Sequence, residues 1–539
     1  MSMNGGSGGA VAGMNDAVLS DYERQMVAKI MGDWKLTPAT FAHKISRGTW
    51  IAAPHLQYIA ARVARAIAKG NGRIIISAPP RHGKSQLASI YTPAWVLEKF
   101  PHYKTILAGY GSELATGFSR QVRDIFTDKD NAQLLSTRIR RDSSRVEAFL
   151  TEREGRITNG GMYAVGLGGA ITGRGANVLL IDDYIKEIKE ALSATYRDYI
   201  WNWFVTTAFT RLEPNGTCII IATRWHSDDL IGRILTQFPG QWEYIEIPAI
   251  AEAGDLLGRQ IDEALFPERY PYEKLMELKE TLGTIFFQAL YQQKPVDESK
   301  KLTDRNWIKQ AGVADLDYHI MDDVRWARIW DLAATEGGGD WAVGTLEGYT
   351  KKYNRTYIKN VVRDQMSPGQ VEEKVRATAL ADGVDVKIYI EQEPGSSGIA
   401  LVDHYKRNIL PEFSVEGVPV VVNKLVRAQP FLAAAEAGNV YYIDGSWAET
   451  FLKEFDSFPG GEFDDQVDTV SAGYQKLSGK RLFSASWGRN VKATHKSNRL
   501  ETGKAMVSMA ARGPVRGATF GRRERWECKI YPCSLREIC

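Results

Sequence analysis

The chain has few cysteines for its length, and their placement excludes a disulfide framework. Four occur among 539 residues. Cys218 lies in an apolar run, whereas Cys528, Cys533 and Cys539 cluster near the C-terminus with no histidine beside them. Secreted domains stapled by disulfides carry cysteine far more densely, and three thiols do not complete a tetrahedral zinc site. We therefore expect reduced thiols and a cytosolic location.

Long apolar runs and a large net charge are also lacking. No stretch approaches the roughly 18 apolar residues of a membrane-spanning helix, and residues 1–13 lack the basic and then apolar pattern of a signal peptide. The net charge is only +3, with 44% hydrophobic and 25% charged residues, values typical of soluble globular proteins. A single core rarely extends over a chain this long, so we expect two domains with flexible ends.

The charge is unevenly distributed along the chain. Residues 480–539 contain 14 Lys and Arg against 4 Asp and Glu, and they are rich in Gly, Ser and Ala. This composition predicts a disordered basic tail. Such a tail suits contact with a polyanion, but basic tails are often only solvated, and the sequence does not decide between the two.

Apolar strands alternate with helical segments, which predicts an α/β fold with a parallel sheet in the first half of the chain. The predicted strands there are 73–78, 104–109, 177–181 and 217–222, and the predicted helices are 86–100 and 112–126. The glycine-rich stretch 161–175 is predicted to be a loop. A second α/β unit follows, with predicted strands at 327–331, 342–346, 356–362, 386–390, 419–422 and 440–443 and a helix at 369–380.

An apolar strand at 73–78 runs into a segment with the spacing of a phosphate-binding P-loop. The loop residues are Ala78, Pro79, Pro80, Arg81, His82, Gly83, Lys84 and Ser85, with alanine where the first glycine usually stands. Gly83 would let the backbone approach a phosphate, and the next helix would direct its positive N-terminal end at it. We predict that Lys84 reaches the β- and γ-phosphates of ATP and that Ser85 binds Mg²⁺. An ordinary strand–turn–helix is the alternative.

Two adjacent acids, Asp182 and Asp183, end the apolar run 178–181. In a P-loop ATPase, an acid at this place holds Mg²⁺ and the next one orients the attacking water. We predict these roles for Asp182 and Asp183 respectively. Many P-loop ATPases have glutamate at the second position, and acids after a strand can also cap a helix, so both readings stay open.

Several arginines are candidates for stabilising charge on the transferred phosphate. Arg81, inside the loop, would act in cis. The candidates for action on a neighbouring subunit are Arg120, Arg123, Arg174 and Arg211. Each of the four is, taken singly, as well explained by a surface salt bridge, and the sequence does not choose among them.

Two further positions are predicted to assist the ATP site. Thr223 and Arg224 follow the strand 217–222, where P-loop motors carry a polar residue that couples hydrolysis to movement. A strand end beside a buried tryptophan is the alternative there. Gln57 precedes the loop and is a candidate for reading the adenine ring.

A second set of acids lies about 250 residues later. Asp331 ends the predicted strand 327–331, and Glu391 follows the strand 386–390. Asp464, Asp465 and Asp468 lie at the start of a helix predicted to end near residue 476. Acids at neighbouring strand ends and on a helix converge in an RNase H-like sheet, where carboxylates suit two Mg²⁺ or Mn²⁺ ions that act on a phosphodiester. Acids that cap helices and loops are the alternative, and Asp340 is a further candidate ligand.

These motifs, taken in order, resemble those of the large terminase subunits of tailed phages and prophages. The matching stretches are A-P-P-R-H-G-K-S at 78–85, G-R-G-A-N-V-L-L-I-D-D at 173–183, A-T-R-W-H at 222–226, F-Q-A-L-Y-Q-Q-K-P at 287–295, I-E-Q-E-P-G at 390–395 and F-D-D-Q-V-D at 463–468. The resemblance implies a P-loop NTPase domain with a parallel sheet, followed by an RNase H-like nuclease domain. The division it suggests is a lead at 1–39, an ATPase domain at 40–250, a connecting segment at 251–325, a nuclease domain at 326–479 and the tail at 480–539.

The resemblance also implies an activity and a set of partners. It implies an ATP-driven motor that moves double-stranded DNA into a procapsid through the portal and cuts the concatemer at initiation and termination. The cofactors implied are ATP with Mg²⁺, and two Mg²⁺ or Mn²⁺ for the nuclease. The partners implied are the portal, a small terminase subunit and further copies of the chain in a ring of about five, in the host cytoplasm and not in the mature virion. A helicase or defence translocase with a fused nuclease, and a motor with an inactive nuclease, are the competing interpretations.

Overall fold

The computed structural model describes residues 33–171, 173–297, 300–332, 341–420 and 424–479. The predictions for the N-terminal lead up to residue 32, for Asp340 and for the basic tail lie outside the described residues. Two compact units are formed, one by residues 33–74, 83–182 and 211–219 and the other by 75–82, 183–210 and 220–479. No helix in these ranges is long and apolar enough to cross a membrane.

The first sheet has eight strands in the order β3-β4-β5-β2-β6-β7-β1-β8. These are β1 (Arg73–Ser77), β2 (Lys104–Gly109), β3 (Thr137–Ser144), β4 (Ala148–Arg153), β5 (Arg156–Gly166), β6 (Ala176–Asp182), β7 (Leu212–Ala222) and β8 (Glu243–Glu246). Strand β2 pairs in parallel with β5 and β6, whereas β4 is antiparallel to β3 and β5. The predicted α/β fold and the parallel pairing of its central strands are confirmed, and antiparallel strands at one edge make the sheet mixed.

The central strands form where the sequence concentrates branched apolar side chains. Ile74, Ile75 and Ile76 of β1 are at most 1% exposed, and Cys218 of β7 is fully buried, as predicted. β-Branched side chains pack well on a pleated surface that is covered on both faces. Two boundaries differ from prediction: β5 takes up the first part of the predicted loop 161–175, and β7 begins before the turn at Asn215, whose φ is 64°.

Helices connect and flank these strands. They are α1 (Pro38–Ile45), α2 (Pro54–Lys69), α3 (Thr92–Lys99), α4 (Ser112–Thr127), α5 (Asn131–Leu134), α6 (Ile188–Leu192), α7 (Ala194–Trp203), α8 (Leu230–Gln237) and α9 (Tyr272–Leu290). The predicted helix 86–100 is divided into a π-helical turn at Gln86–Tyr91 and α3. Thr92 and Pro93 follow that turn, and proline cannot donate to the helical ladder.

The predicted connecting segment contains one long helix, α9, that is broken at Gly283. Its φ of 74° and ψ of 160° are not helical, and glycine adopts a positive φ without the clash that a Cβ brings. A Cβ at Gly283 would also lie 3.2 Å from Cβ of Ala433. The second half of α9 therefore starts as a new helix at Thr284.

The second sheet has seven strands in the order β14-β13-β10-β11-β12-β15-β9. They are β9 (Ile308–Gln310), β10 (Arg325–Asp331), β11 (Ala342–Thr350), β12 (Arg355–Asp364), β13 (Lys387–Gln392), β14 (Val415–Pro419) and β15 (Val440–Tyr442). Strands β10, β11 and β12 are consecutive and antiparallel, while β13 pairs in parallel with β10 and with β14. The strand predicted at 419–422 overlaps β14 at Pro419, and residues 421 and 422 of that prediction lie outside the described residues.

Six helices accompany the second sheet. They are α10 (Tyr318–Met321), α11 (Pro368–Asp382), α12 (Ser396–His404), α13 (Lys424–Glu436), α14 (Ala448–Ser457) and α15 (Asp465–Ser478). Phe286 of α9 lies in one apolar cluster with Phe431 of α13 and Phe451 of α14. Helix α15, which carries predicted acids on its first turn, packs against β10 and β11.

Candidate nucleotide and metal sites

The P-loop has the backbone that its sequence predicts. Arg81 and Gly83 both have positive φ, at 62° and 90°, so the chain turns sharply between β1 and the helical turn at Gln86. A Cβ on Gly83 would lie 2.9 Å from Cδ1 of Leu56. Glycine is therefore required at this position by its φ and by its packing. Ala78, at the position of the usual first glycine, is fully buried.

His82 holds the loop from inside the protein. Its side chain is fully buried, and its Nδ1 lies 2.8 Å from the carbonyl oxygen of Pro80. Because that oxygen can only accept, Nδ1–H is the donor. The imidazole also stacks on the ring of Tyr270, with centroids 4.9 Å apart and planes 20° apart. The sequence analysis placed His82 in the loop but did not foresee this role.

Ser85 and Asp182, both predicted to hold Mg²⁺, are in contact although 97 residues separate them. The Ser85 hydroxyl donates to Oδ1 of Asp182 at 3.1 Å, and Ser89 donates to Oδ2 at 2.6 Å. Asp182 is 1% exposed, and Lys84 beside Ser85 is 5% exposed. Ser89 was missed by the sequence analysis, and its spacing of four residues from Ser85 in a helical segment is the signal that points to it.

Asp183 lies where the chain leaves β6. Its φ of 46° is in the left-handed region, and its backbone N–H donates to the carbonyl oxygen of Ile221 at 3.0 Å. A residue other than glycine is uncommon in this region and costs on the order of 1 kcal/mol there.

The first turn of α2 lies beside the P-loop, because Leu56 packs against Gly83. Gln57 follows on this turn. Its side chain is exposed and donates to the carbonyl oxygen of Ala52 at 2.6 Å. The contact of Leu56, the residue before Gln57, with the loop agrees with the predicted role of Gln57 in reading the adenine ring.

The four candidate trans arginines occupy different settings. Arg120 is exposed, and Arg211 is half-buried. Arg123 has its Nη1 3.4 Å from the carbonyl oxygen of Ser144, and the guanidinium of exposed Arg174 lies 3.9 Å from the ring centroid of Tyr163. None of these contacts assigns one arginine to a neighbouring subunit.

The predicted coupling residues Thr223 and Arg224 are buried, at 8% and 5% exposure. Nε of Arg224 donates to Asp229 at 2.8 Å, and its Nη1 lies 3.3 Å from the hydroxyl of Tyr244. Asp229 also caps α8 by accepting from Gly232 N–H at 2.8 Å. Breaking a buried pair of this kind leaves an uncompensated charge, so Arg224 is fixed to the start of α8. The sequence analysis did not identify Asp229.

Strand register and helix position bring four of the second set of acids together. Trp330 of β10 pairs with Ile390 of β13 in a parallel ladder, so Asp331 and Glu391, one residue further on, end neighbouring strands side by side. Asp465 and Asp468 lie on the first turn of α15. Burial raises the pKa of Asp331 to about 7, and the negative charges of Glu391, Asp465 and Asp468 add to the rise.

Asp468 and Glu391 share this environment. Burial raises the pKa of Asp468 to about 7, with further repulsion from Asp464 and Glu391. The pKa of Glu391 is also raised by burial. Oε1 of Glu391 and Oδ1 of Asp468 are buried and accept no hydrogen bond. Carboxylate oxygens without donors, in a crowded set of acids, fit a hard divalent cation.

Arg427, which was not predicted from the sequence, pairs with two of these acids. Arg427 of α13 donates from Nη1 to Oε2 of Glu391 at 2.9 Å, and its Nη2 lies 2.8 Å from Oδ2 of Asp468. Lys424, one turn earlier on α13, contacts Asp464. The signal for both is a basic pair at i and i+3, which places two cations on one face of a helix. Asp464 is thus paired at the rim, apart from the four converging acids.

No group of three or more His, Cys, Asp or Glu side chains in the described ranges is arranged to hold a metal ion as it stands. The donor chemistry of Asp331, Glu391, Asp465 and Asp468 nevertheless fits Mg²⁺ or Mn²⁺. The guanidinium of Arg427 lies between two of the four carboxylates.

Two family models match the chain in the expected order. The model described as "Terminase large subunit, T4likevirus-type, N-terminal" matches residues 75–314, and "Terminase RNaseH-like domain" matches residues 328–477. Together they cover well over half of the sequence. No curated protein matches the chain in a sequence comparison.

Solved structures with a similar fold are phage large terminases. A large terminase from a thermophilic bacteriophage in complex with ADP has 10% identity and a TM-score of 0.40, covering 79% of this chain and 99% of that one. The SPP1 large terminase nuclease domain with bound Mn has 15% identity and a TM-score of 0.24, covering 32% and 99%. The P22 large terminase nuclease domain has 12% identity and a TM-score of 0.23, covering 29% and 82%.

Identities and TM-scores at this level assign no role to a residue of this chain. The family models carry the assignment, because they match both halves of the sequence in order. This chain therefore belongs to the large terminase subunits, phage DNA-packaging proteins with an ATPase domain and an RNase H-like nuclease domain.

Proposed function

We propose that the chain hydrolyses ATP to move double-stranded viral DNA into a procapsid, and that it cuts the concatemer with a metal-dependent endonuclease at initiation and termination. The observation that carries the proposal is the hydroxyl of Ser85 on the carboxylate of Asp182, at 3.1 Å, beside a loop with the φ values of a phosphate cradle. An ordinary strand–turn–helix of similar composition would not be expected to place the loop serine on an acid from another strand.

In the proposed ATPase, the protein contributes position and charge. The N–H groups of the loop 79–85 would surround the phosphates, and Lys84 would neutralise the β- and γ-phosphates. Ser85 and Asp182 would hold Mg²⁺, which would supply positive charge to offset that of the phosphates. Asp183 would orient the attacking water. Arg81, or one of Arg120, Arg123, Arg174 and Arg211 from a neighbouring copy, would stabilise the charge that develops.

Thr223 and Arg224 are proposed to transmit hydrolysis to the rest of the motor. Arg224 is held by Asp229 at the start of α8, so a displacement of the chain at Thr223 would be passed to that helix. Gln57 is proposed to contact the adenine ring.

In the proposed nuclease, Asp331, Glu391, Asp465 and Asp468 would hold two Mg²⁺ or Mn²⁺, with Asp464 at the rim. The ions would supply an activated water and a counter-charge for the leaving oxygen of the phosphodiester. The chain's own part is to gather four acids in a partly buried setting, where burial raises the pKa of Asp331 and Asp468. These groups read no base edge, so cutting is expected to be largely independent of sequence.

The proposed partners follow from the family. They are double-stranded DNA, the portal of the procapsid, a small terminase subunit that selects the cutting site, and further copies of this chain in a ring. The proposed location is the host cytoplasm during assembly.

The proposal is tested with purified protein, ATP and DNA. Phosphate release is measured beside the conversion of unrelated supercoiled and linear DNAs to cut products, in Mg²⁺, in Mn²⁺ and in EDTA. We expect hydrolysis that needs Mg²⁺, and cutting of all DNAs that either ion supports and EDTA stops. Hydrolysis without cutting in either ion would restrict the protein to a motor, and cutting in EDTA would contradict the metal site.

A further inference from the structure

Arg427 is the least expected feature of the acidic cluster. It is 11% exposed, and its two carboxylate partners, Glu391 and Asp468, are 7% and 13% exposed. Each partner uses one oxygen for the guanidinium, at 2.9 Å and 2.8 Å. The bridge therefore joins a strand end of the sheet, β13, to the first turn of α15.

The oxygens left over point to a second cation. Oε1 of Glu391 and Oδ1 of Asp468 are buried and without a hydrogen-bond partner, and so is Nε of Arg427. A buried carboxylate oxygen without a donor is costly. Arg427 therefore satisfies the two carboxylates only in part, and a divalent cation that binds both oxygens of a carboxylate would compensate it more fully.

The helix that carries Arg427 is fixed at several points. The side-chain amide of Gln475, on α15, donates to the carbonyl oxygen of Arg427 at 2.6 Å. At the other end of α13, Glu436 accepts from the N–H of Thr284 at 2.8 Å. The backbone at Arg427 is therefore held in place. The guanidinium can leave the acids only by rotation about its side-chain torsions.

We infer that Arg427 is a built-in counter-cation that competes with divalent metal for Glu391 and Asp468, and so sets the metal affinity of the cluster. The inference rests on the proposed nuclease function. Arg427 is a positioning residue in this account, because it acts through the two carboxylates. Binding of metal displaces its guanidinium from Glu391 and Asp468. The free energy of these ion pairs is lost on binding, so the metal affinity is lower than it would be without Arg427.

A simple structural ion pair is the alternative, and it predicts a different response. If Arg427 only held β13 and α15 together, its removal would loosen the acids and weaken metal binding. If it competes, its removal strengthens metal binding even though the protein without metal becomes less stable. The two accounts differ in the sign of the change in affinity.

The test measures Mn²⁺ binding by isothermal titration calorimetry for the full chain and for Arg427→Gln. We expect affinity about tenfold tighter or more in the variant, together with a lower melting temperature in EDTA and a larger rise in melting temperature on adding Mn²⁺. The matched control is Arg376→Gln, which removes an exposed arginine paired with Glu412 in the same half of the chain. Its Mn²⁺ affinity should equal that of the wild type.

Equal or weaker Mn²⁺ affinity in Arg427→Gln would overturn the inference while leaving the nuclease proposal intact. Absence of Mn²⁺ binding in both proteins would overturn both, and binding by the variant alone would support competition.

If Arg427→Gln does not fold, a second measurement decides. Side-chain ¹⁵N signals of arginine are followed in the wild type during a Mg²⁺ titration, with Arg427→Lys identifying the signal of Arg427. A signal that moves in step with saturation supports displacement, and one that stays fixed while metal binds overturns it.

Discussion

Lys84 and Asp182 are the residues on which ATP turnover is expected to depend most. Lys84→Ala removes the cation at the β- and γ-phosphates, and Asp182→Ala removes the carboxylate that accepts from Ser85. Since charge stabilisation dominates phosphoryl transfer, either change should lower ATP hydrolysis by about 10³-fold or more. Phosphate release measures this. Lys69→Ala, at the exposed end of α2, is the control and should hydrolyse normally. Unchanged turnover in Lys84→Ala would place the ATP site elsewhere.

The raised pKa values of Asp331 and Asp468, both about 7, predict a pH dependence of stability. Between the usual pKa of aspartate, about 4, and 7, the folded state binds more protons than the unfolded state. In EDTA, the free energy of unfolding contributed by these groups is therefore greatest at low pH and declines as pH rises through 7. The groups facing them are Glu391, Asp464, Asp465, Lys424 and Arg427.

The check is urea unfolding in EDTA at several pH values between 5 and 8. Asp468→Asn removes one of the two titrations, so its stability should decline less steeply with pH than that of the wild type. Parallel curves for the two proteins would show that the pKa of Asp468 is not raised.

The sequence predicted the main acids at this scale but not their partners. Asp331 with Glu391 could be placed because strand ends in one sheet meet, and Ser85 with Asp182 because a P-loop serine and the acid after a neighbouring strand hold one Mg²⁺ in P-loop ATPases. Arg427 could not, because nothing in the sequence fixes how far α13 lies from α15. The stacking of His82 on Tyr270 depends in the same way on a contact across 188 residues of chain.

At the scale of elements, the broken helix α9 depends on α13. Glu436 accepts from the backbone N–H of Thr284 at 2.8 Å and also contacts its hydroxyl, so it caps the half of α9 that starts after Gly283. Glu436→Gln keeps the shape and removes the charge. We expect the free energy of unfolding to fall by about 1 kcal/mol, measured by urea denaturation.

A matched control for this cap is Glu449→Gln, which alters an exposed ion pair with Arg305. Exposed pairs contribute little, so its unfolding curve should overlay that of the wild type. Equal effects of the two substitutions would mean that Glu436 does not act as a cap.

Most elements were predictable because their apolar patterns are strong, as in β6 and β7. The edge strands β3 and β4 were not, since Arg138, Arg140 and Arg141 give β3 no apolar alternation. Helix α9, within the predicted connecting segment, and its break at Gly283 also escaped prediction. A single glycine within a helical pattern is usually tolerated, and only the approach of Ala433 shows why this one interrupts the helix.

At the scale of the whole molecule, the proposed ring of subunits predicts that some variants complement each other. If Arg120, Arg123, Arg174 or Arg211 acts on a neighbour's nucleotide, its alanine variant should bind ATP without hydrolysing it. Mixed with Lys84→Ala, it should recover part of the turnover, because each subunit then supplies what the other lacks. Phosphate release from mixtures over a range of ratios measures this. No recovery with any of the four would favour Arg81 acting in cis.

The domain boundaries at 250 and 325 stay a prediction, because the compact units of the structure are divided differently. At this scale the order of the motifs along the chain could be predicted from the sequence, and the family models confirm it. It could not supply the contacts of α9 with α13, since long-range packing of helices leaves no local pattern.

The central claim is that one chain holds two independent catalytic sites. The most direct measurement compares ATP hydrolysis and plasmid cutting, in one buffer with Mg²⁺ and in one with Mn²⁺, for the wild type, Lys84→Ala and Asp331→Asn. The account predicts that Lys84→Ala cuts but does not hydrolyse, and that Asp331→Asn hydrolyses but does not cut. Full cutting by both Asp331→Asn and Glu391→Gln, or loss of cutting with Lys84→Ala, would contradict it.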